Sequence, residues 1–483
     1  MERTVYIHRA LQDHLLNKLN YIEISQDIAY STMESVYRNI LALFIDDKRD
    51  PTLDKSSRLF FERKLLGLRD CHGIVQQPAH MQLPYFYILP KVHKKPWKTR
   101  PVVSQVSSVI EPLSQWIDYQ LQRVIHLCPA YLQDSWHFLN ELKKFKRNCS
   151  SALIFTADAV AMYANIPTEH ALTSIKQWFE LHAHELPADF PTTKVLTGLG
   201  IVMRNNVFTF GNRYWLQLQG TAMGTSCACM YANIYYSYHE ETRLTSAPTL
   251  WFWRRLIDDG FGIIDGTCLT HFHQHMQLMN NFGPEDARLV WECELGTCKS
   301  INFLDLQVTI EPDGTFTTRT YQKAMNLYLY RPPCSAQPPS ILYGLIFGTL
   351  HRYFWHNSKR SDFQHFTKLF FERLCNRGHV AAHLAPLFIK AAAAVDTSQP
   401  PQPKIGPHEV SENPRNRFFL HLPYHPLDPE RRVLQQIFRD TLSPALAEDS
   451  IGLETMTIAY SRSPNISDLV RRNRLPSSFD TNL

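Results

Sequence analysis

Asp158 ends the short apolar run Ala152-Leu153-Ile154-Phe155-Thr156-Ala157. A buried strand that delivers a carboxylate at its C-terminal tip has this pattern. Later in the chain, Trp253-Arg254-Arg255-Leu256-Ile257 and Phe261-Gly262-Ile263-Ile264 flank Asp258-Asp259-Gly260. Two apolar runs around such a triplet predict a β-hairpin with acidic residues at its turn. Asp-Gly is also ordinary hairpin-turn chemistry, and an Asp at a strand end often caps the next helix. Adjacent carboxylates repel, however. Two at one turn, with a third on a neighbouring strand, are better explained by a bound divalent cation. Mg²⁺ takes oxygen ligands in octahedral geometry, usually one or two carboxylates with waters and substrate phosphates. Three carboxylates at paired strand tips could hold two such ions, which together clamp the attacking and leaving oxygens of an in-line phosphoryl transfer.

The elements that must position these acids emerge from composition and periodicity. The chain has 483 residues, 44% of them apolar and 20% charged, enough for large cores and too few charges for wholesale disorder. Glycine is scarce at 18 residues, and neither GxGxxG nor GxxxxGK[ST] occurs, which argues against a glycine-cradled nucleotide. A net charge of +5 identifies no partner by itself. The ten cysteines contain no CxxC pair and suit a reducing compartment. The N-terminus lacks a signal-peptide layout, and the apolar stretches Ile341–Leu350 and His379–Val395 are too short or too polar to span a membrane. The reading is a soluble protein, nuclear or cytoplasmic, neither secreted nor membrane-bound.

Residues 1–80 read as mostly helical, with Met33, Val36, Tyr37, Ile40, Leu41 and Phe44 at helical spacing and a second helix over Lys55–Leu68. An aromatic run, Leu83–Pro90, precedes a basic loop; residues 111–149 read as a helical pair. From Ser151 to Ile310 short apolar runs alternate with helix-length segments, an α+β or α/β pattern. Residues 321–390 return to helix. The run Ala391–Pro403 reads as a linker, and 405–483 as a small C-terminal unit.

The basic loop holds Lys91, Lys94, Lys95, Lys98 and Arg100 with Trp97 among them and no acid, which suits a template channel that neutralises phosphates and stacks a base. A solvated basic loop is the plainer alternative. Lys143-Lys144-Phe145-Lys146-Arg147 reads as a nucleic-acid contact, a nuclear-import patch or a wet helix face. His271, His273 and His275 invite a zinc reading, but no ligand-rich partner segment accompanies them, and a solvated helix is the better account.

Taken together these residues resemble a family. Asp158-Ala159-Val160-Ala161-Met162-Tyr163, followed by Ile257-Asp258-Asp259, is similar to motifs A and C of reverse transcriptases. Between them, Gln219-Gly220-Thr221-Ala222-Met223-Gly224-Thr225-Ser226 resembles motif B. Ahead of them, Leu89-Pro90-Lys91-Val92-His93-Lys94 and Arg100-Pro101-Val102-Val103-Ser104 resemble the fingers motif. The wording is that of Penelope-like retroelements, relatives of telomerase: Leu89–Lys94, Asn165-Ile166-Pro167, and Ile301-Asn302-Phe303-Leu304-Asp305. The likeness continues through Tyr328, Arg331-Pro332 and Arg373–Gly378 to Ala459-Tyr460 and Pro464–Leu469, and so covers nearly the whole chain.

The resemblance implies an α+β right-hand polymerase: fingers and palm over 81–320 with a helical N-terminal part of the fingers over 1–80, a helical thumb over 321–395, a Pro-rich linker over 396–404 and a C-terminal unit over 405–483. It implies an RNA-directed DNA polymerase that takes an RNA template, a DNA primer and dNTPs, with two Mg²⁺ ions or Mn²⁺ in their place. Asp158 and Asp258 would be metal ligands, with Asp259 the less direct neighbour and the Ala159 carbonyl completing one shell. Tyr163 would stack under the sugar and clash with a 2′-hydroxyl. Lys91 and Arg100 would hold the triphosphate. Gly220, Met223 and Gly224 would let backbone approach the nascent base pair at a helix start. Asp305 is not counted among the catalytic residues.

Three departures accompany the likeness. Leu256 replaces the aromatic residue usual before the two aspartates. Met1–Ile7 looks like the tail of a further fingers segment, so a truncated fingers domain is expected. No GIY-YIG endonuclease motif is found, so a free DNA 3′ end or a separate endonuclease would supply the primer. Two rival functions follow: a decayed or domesticated copy that binds nucleic acid without polymerising, and a metal-dependent nuclease or nucleotidyltransferase on an unrelated fold. The second would leave Tyr163, Gly220, Gly224 and the Arg100–Val103 run unexplained.

Overall fold

The computed structural model describes residues 2–46, 54–66, 82–92, 95–244, 249–267, 269–284, 289–296, 299–338, 340–399, 417–425, 427–442, 444 and 455–461. Its first strands are β1 (Tyr21–Ile24), β2 (Tyr85–Lys91), β3 (Lys98–Ser104), β4 (Ala152–Ala159), β5 (Val207–Phe210) and β6 (Arg213–Gln217). There follow β7 (Leu250–Leu256), β8 (Asp259–Asp265), β9 (Trp291–Leu295), β10 (Ser300–Phe303), β11 (Leu306–Ile310) and β12 (Phe316–Thr320). The last two are β13 (Arg417–Pro423) and β14 (Thr455–Ser461). The fold is α+β. The sheets are ordered β1-β6-β5-β2-β3, β7-β8-β4-β9, β10-β11-β12 and β13-β14. On the resemblance stated above, the first sheet would be fingers, the second sheet palm and the helices from Ser340 onward thumb.

β4 lies between β8 and β9 and is antiparallel to both. Its side chains alternate between two cores. Phe155, Ala157 and Ala159 join a helix-covered core with Trp178, Tyr236, Trp253 and Trp291. Ile154 faces the other way, toward Phe138, Phe261, Ile263, Phe303 and Val308. Because most of the strand is covered on both faces, it reads as a nearly unbroken apolar run that turns polar only at Thr156 and Asp158. Burying each such Phe or Ile contributes about 1.5–3 kcal/mol.

Several elements differ from their sequence reading. Within the stretch read as helical, Tyr21–Ile24 is an edge strand on β6, followed at once by the helix Gln26–Leu41, whose cap Ser25 accepts from the Ile28 amide at 3.3 Å. The helix Ala228–His239 is buried on nearly every side, as befits a helix that is apolar nearly all round. Ala391–Asp396 are not linker. They are the last turns of the helix Ala381–Asp396, which buries Ala391 and Val395, and alanine is the best helix former. That helix packs with Ser340–His356 and Arg360–Asn376 around Leu350, Phe370, Leu374 and Phe388.

Residues 321–338 carry no helix. They form a strap held by the second of these helices and the turn after it: Arg373 donates to Gln322 Oε1 at 2.9 Å and lies 3.5 Å over the Tyr328 ring, and Arg377 donates to the Tyr330 carbonyl at 2.7 Å. In the C-terminal unit, β13 and β14 pair in parallel over a small core of Phe438, Met456 and Ile458. Among the described residues no helix is long and apolar enough to cross a membrane.

Two glycines let β8 sit against aromatic rings. A Cβ at Gly260 would lie 2.2 Å from the Trp253 ring, and one at Gly262 would lie 2.2 Å from the Phe155 ring. Both rings are buried. Gly262→Ala is therefore expected to destabilise the fold by about 1–3 kcal/mol through overpacking. Gly344→Ala, on a helix position where a Cβ meets nothing within 4 Å, is expected to stabilise by about 0.5–1 kcal/mol. Urea unfolding midpoints of the two variants should move in opposite directions; equal midpoints would refute the packing account of Gly262.

Candidate active site

The palm sheet gathers the aspartates at one end. Register pairs Asp158 with Asp259 on β8 and with Glu292 on β9. Directly paired residues share a face of an antiparallel sheet, so Asp259, Asp158 and Glu292 form a row across three strands. Asp258 sits one residue before β8, and its carbonyl accepts the Ala159 amide at 3.0 Å. The tip of β4 is thus tied to the acidic turn by backbone. A cavity of about 340 Å³ opens on this face, lined by Thr156, Asp158, Asp259, Glu292, Glu294 and the Asn302-Phe303-Leu304 corner, among others.

The turn itself is unusual. Leu256 pairs with Asp259, which leaves Ile257 and Asp258 as the two-residue loop. Ile257 has φ +57°, at the first central position, where a type II′ hairpin normally takes glycine. A β-branched residue there costs on the order of 1–3 kcal/mol. Asp259-Gly260 is not the turn but the start of β8, so the plain turn-chemistry account of that pair does not apply. Gly260 is required instead by the Trp253 ring.

Electrostatics follow from this crowding. Asp259 presents its tip to the cavity but is hemmed in by protein. Desolvation first, then the Asp258 and Asp158 charges, push its carboxyl up to about 6, and Lys323 on the strap partly offsets them. A bound cation would ease such crowding further. Among the described residues no group of three or more His, Cys, Asp or Glu side chains is placed to hold a metal ion by itself. An open set of carboxylates fits Mg²⁺, which leaves room for waters and substrate phosphates. Glu292, Glu294 and Lys323 escaped the sequence reading. The alternation Trp291-Glu292-Cys293-Glu294-Leu295 carried a strand signal that would have put both glutamates on one face.

The other expected residues fall into two groups. Tyr163 is half-buried, and its carbonyl accepts the Thr221 amide at 2.7 Å. A Cβ at Gly220 (φ +77°) would lie 2.2 Å from that carbonyl, so only glycine permits the approach. Burial, and then the neighbouring Cys229 thiol, push the Tyr163 phenol well up. At the other end of the loop, the Met223 carbonyl accepts the Val103 amide at 3.0 Å. A Cβ at Gly224 (φ +131°) would lie 2.1 Å from the Val103 carbonyl. The loop is therefore docked on β3 by close backbone contacts, with Ala222 sharing the core that holds Val103.

β3 pairs with β2 so that Lys91 faces Lys98 and Leu89 faces Arg100. Like charges opposite each other destabilise a strand pair unless an anion lies between them. Arg100, Lys98 and Lys95 are exposed. Trp97 is only half-exposed, because the Arg9 guanidinium covers one face at 4.6 Å. Lys94 lies outside the described residues. In the second basic run, Lys143 lies over Trp355 at 5.7 Å and Arg147 over Trp251 at 3.8 Å. His275 is not on a solvated face: it is buried against Phe155 and Trp253, and desolvation lowers it to about 4. Asp305 accepts from Ser135 Oγ and lies 3.7 Å from His356 Nδ1.

No family model matches the chain, and no curated protein sequence matches it. Among solved structures it is similar to the telomerase of Candida albicans in complex with a fragment of telomeric RNA, at 10% identity and a TM-score of 0.49 over 81% of this chain and 65% of that one. It is similar to the apo telomerase of Candida tropicalis at 12% identity and a TM-score of 0.42, over 67% and 64% of the two chains. A polymerase complex inside a double-stranded RNA virus follows at 12% identity and a TM-score of 0.36, over 73% of this chain and 30% of that one. The chain thus spans less than two-thirds of these relatives' length, and at such identities the likeness says nothing about activity.

Proposed function

We propose that the chain is an RNA-directed DNA polymerase of the Penelope type, which extends a primer 3′-hydroxyl with dNTPs on an RNA template. The observation that carries this reading is the carboxylate row at the palm edge, with Asp158 opposite Asp259 and Asp258 in the strained turn between β7 and β8. Asp158, Asp258 and the Ala159 carbonyl would hold Mg²⁺, or Mn²⁺ in its place, with Asp259 beside them. Bound there, the two ions supply a lowered hydroxyl pKa at the primer end and charge neutralisation at the leaving pyrophosphate.

The chain's own residues do the rest. Lys91 and Arg100 present cationic donors to the triphosphate, and the facing Lys91 and Lys98 are relieved by an anion. Tyr163, fixed by Gly220 and Thr221, offers its ring beneath the sugar and rejects a 2′-hydroxyl. Met223 and Gly224 bring backbone to the base pair. Lys95 and Lys98 follow the template backbone. The cavity beside Asn302–Leu304 gives the primer terminus a place next to Asp158.

Primer extension tests the proposal. Wild-type protein with an RNA template, DNA primer, dNTPs and Mg²⁺ should extend, and Asp258→Ala/Asp259→Ala should not. Absence of extension by both, with heteroduplex binding retained, would replace the proposal with a nucleic-acid-binding protein that does not polymerise. Tyr163→Ala should incorporate rNTPs at least about tenfold better relative to dNTPs, since one steric contact is worth about 1–3 kcal/mol; unchanged discrimination would remove Tyr163 from the sugar site.

The raised Asp259 carboxyl adds a pH signature. Its folded value, about 6, exceeds the free value of 3.8, so ionising it opposes folding. That opposition is full above pH 6 and fades as pH falls toward 3.8. Asp259→Asn should therefore raise the metal-free melting temperature at pH 7.5 and lose that advantage near pH 4. Added Mg²⁺ should raise the wild-type melting temperature at pH 7.5 more than that of Asp158→Ala/Asp259→Asn. A pH-independent gain would mean that Asp259 is not crowded by its neighbours.

A further inference from the structure

Arg255 is the most deeply buried cation of the palm, at 1% exposure. All five of its N–H donors are engaged. Nε and Nη2 form a fork on Glu240, at 2.6 and 3.1 Å. Nη1 donates to Asn233 Oδ1 at 2.8 Å, and Nη2 to the Asn233 carbonyl at 3.2 Å. The remaining Nη1 hydrogen goes to the Ile257 carbonyl at 2.8 Å. That carbonyl belongs to the turn residue with positive φ, directly before Asp258. Glu240 also accepts from Trp253 Nε1 at 2.9 Å, and Trp253 is the ring that covers Gly260. Around Arg255 the backbone is held too, since its amide donates to the Ala130 carbonyl at 2.7 Å and its carbonyl accepts from Leu132 at 2.8 Å.

We propose that Arg255 is a positioning residue for the metal-binding turn: its guanidinium locks the Ile257–Asp258 loop to the helix Ala228–His239 and to Glu240, so that Asp258 is presented to the metal in one orientation. The inference rests on the polymerase reading of that turn. A buried ion pair is weak evidence for stability, because desolvation offsets much of the attraction. Here the pair has a further consequence. It holds the strained turn through the Ile257 carbonyl, in addition to the Ala159–Asp258 backbone bond. The helix that supplies Asn233 begins just after Gly220–Gly224. One guanidinium therefore joins the loop docked on β3 to the aspartates. Outer partners that orient metal ligands typically change metal affinity about 10–100-fold when removed.

The test uses the full chain and two variants. Arg255→Lys keeps a charge for Glu240 but has no fork to reach Ile257 as well. Arg255→Met/Glu240→Gln removes both charges, avoids stranding one of them, and leaves an acceptor for Trp253. Circular dichroism melts identify the variants that fold. In each of these, Mn²⁺ alone is titrated and read by electron paramagnetic resonance, and hydrogen exchange is followed in the peptide spanning 256–262. The expected result is half-saturation at about 10–100-fold higher Mn²⁺, with faster exchange at Asp258–Gly260. Primer extension should lose kcat while the dNTP KM stays at its wild-type value. A folded variant with wild-type Mn²⁺ affinity and wild-type exchange overturns the inference. A wild-type chain that binds no Mn²⁺ sinks the polymerase reading instead, and exchange at the turn still decides whether Arg255 holds it.

Discussion

One register governs the palm. β4 pairs with β8 so that Phe155 lies against Gly262, Ala157 against Gly260 and Asp158 against Asp259. Strand side chains alternate, so a slip by one residue would turn Asp158 into the helix-covered core and bring Phe155 and Ala157 out to the cavity. The two glycines exclude that slip, because the Phe155 and Trp253 rings fill the space that their side chains would take. Placement of the acids is therefore a by-product of packing. The hydrophobic cores on either side of the sheet set the register, and the register delivers the carboxylates to the open edge.

Polar and apolar forces divide the work around that edge. Backbone contacts dock the Gly220–Gly224 loop on Tyr163 at one end and on β3 at the other, where no side chain would fit. The aspartates crowd one another, with Lys323 only partly offsetting the charges around Asp259, whereas the charge behind them is fully paired, Arg255 against Glu240 at 5% exposure or less. The contrast is physical: an ion pair satisfied inside the protein has no affinity to offer, and a crowded set of like charges facing a cavity does. Lys91 opposite Lys98 repeats the pattern with the sign reversed.

The sequence shows the parts of this arrangement that are local. Apolar runs ending in Asp158 and flanking Asp258-Asp259 announce strands and a hairpin, because period and turn residues lie within a few positions of one another. Arg255 is silent in the sequence, because its burial depends on Asn233 and Glu240, which lie well before it in the chain. Arg254, its neighbour, pairs with Glu141 at the other face, at 2.6 Å. Ala391–Asp396 were misread because the proline-rich tail beyond them looks like a linker, whereas alanine continues a helix wherever a core is present to receive it. Trp97 looked available for stacking because Arg9 lies far from it in sequence.

The same strand order has a consequence for the chain as it is made. β4 is complete at Ala159, yet its partners β8 and β9 begin only at Asp259 and Trp291. At roughly 5–20 residues per second, translation leaves that apolar strand without its neighbours for about 5–25 s. An unpaired Ala-Leu-Ile-Phe-Thr-Ala segment is a template for pairing with another chain. The three helices from Ser340 onward pack with near neighbours in sequence and fold as they emerge. The sheet around β4 therefore closes only after its last strand has been made, and Ala152–Ala159 is the segment whose exposure ends with that closure.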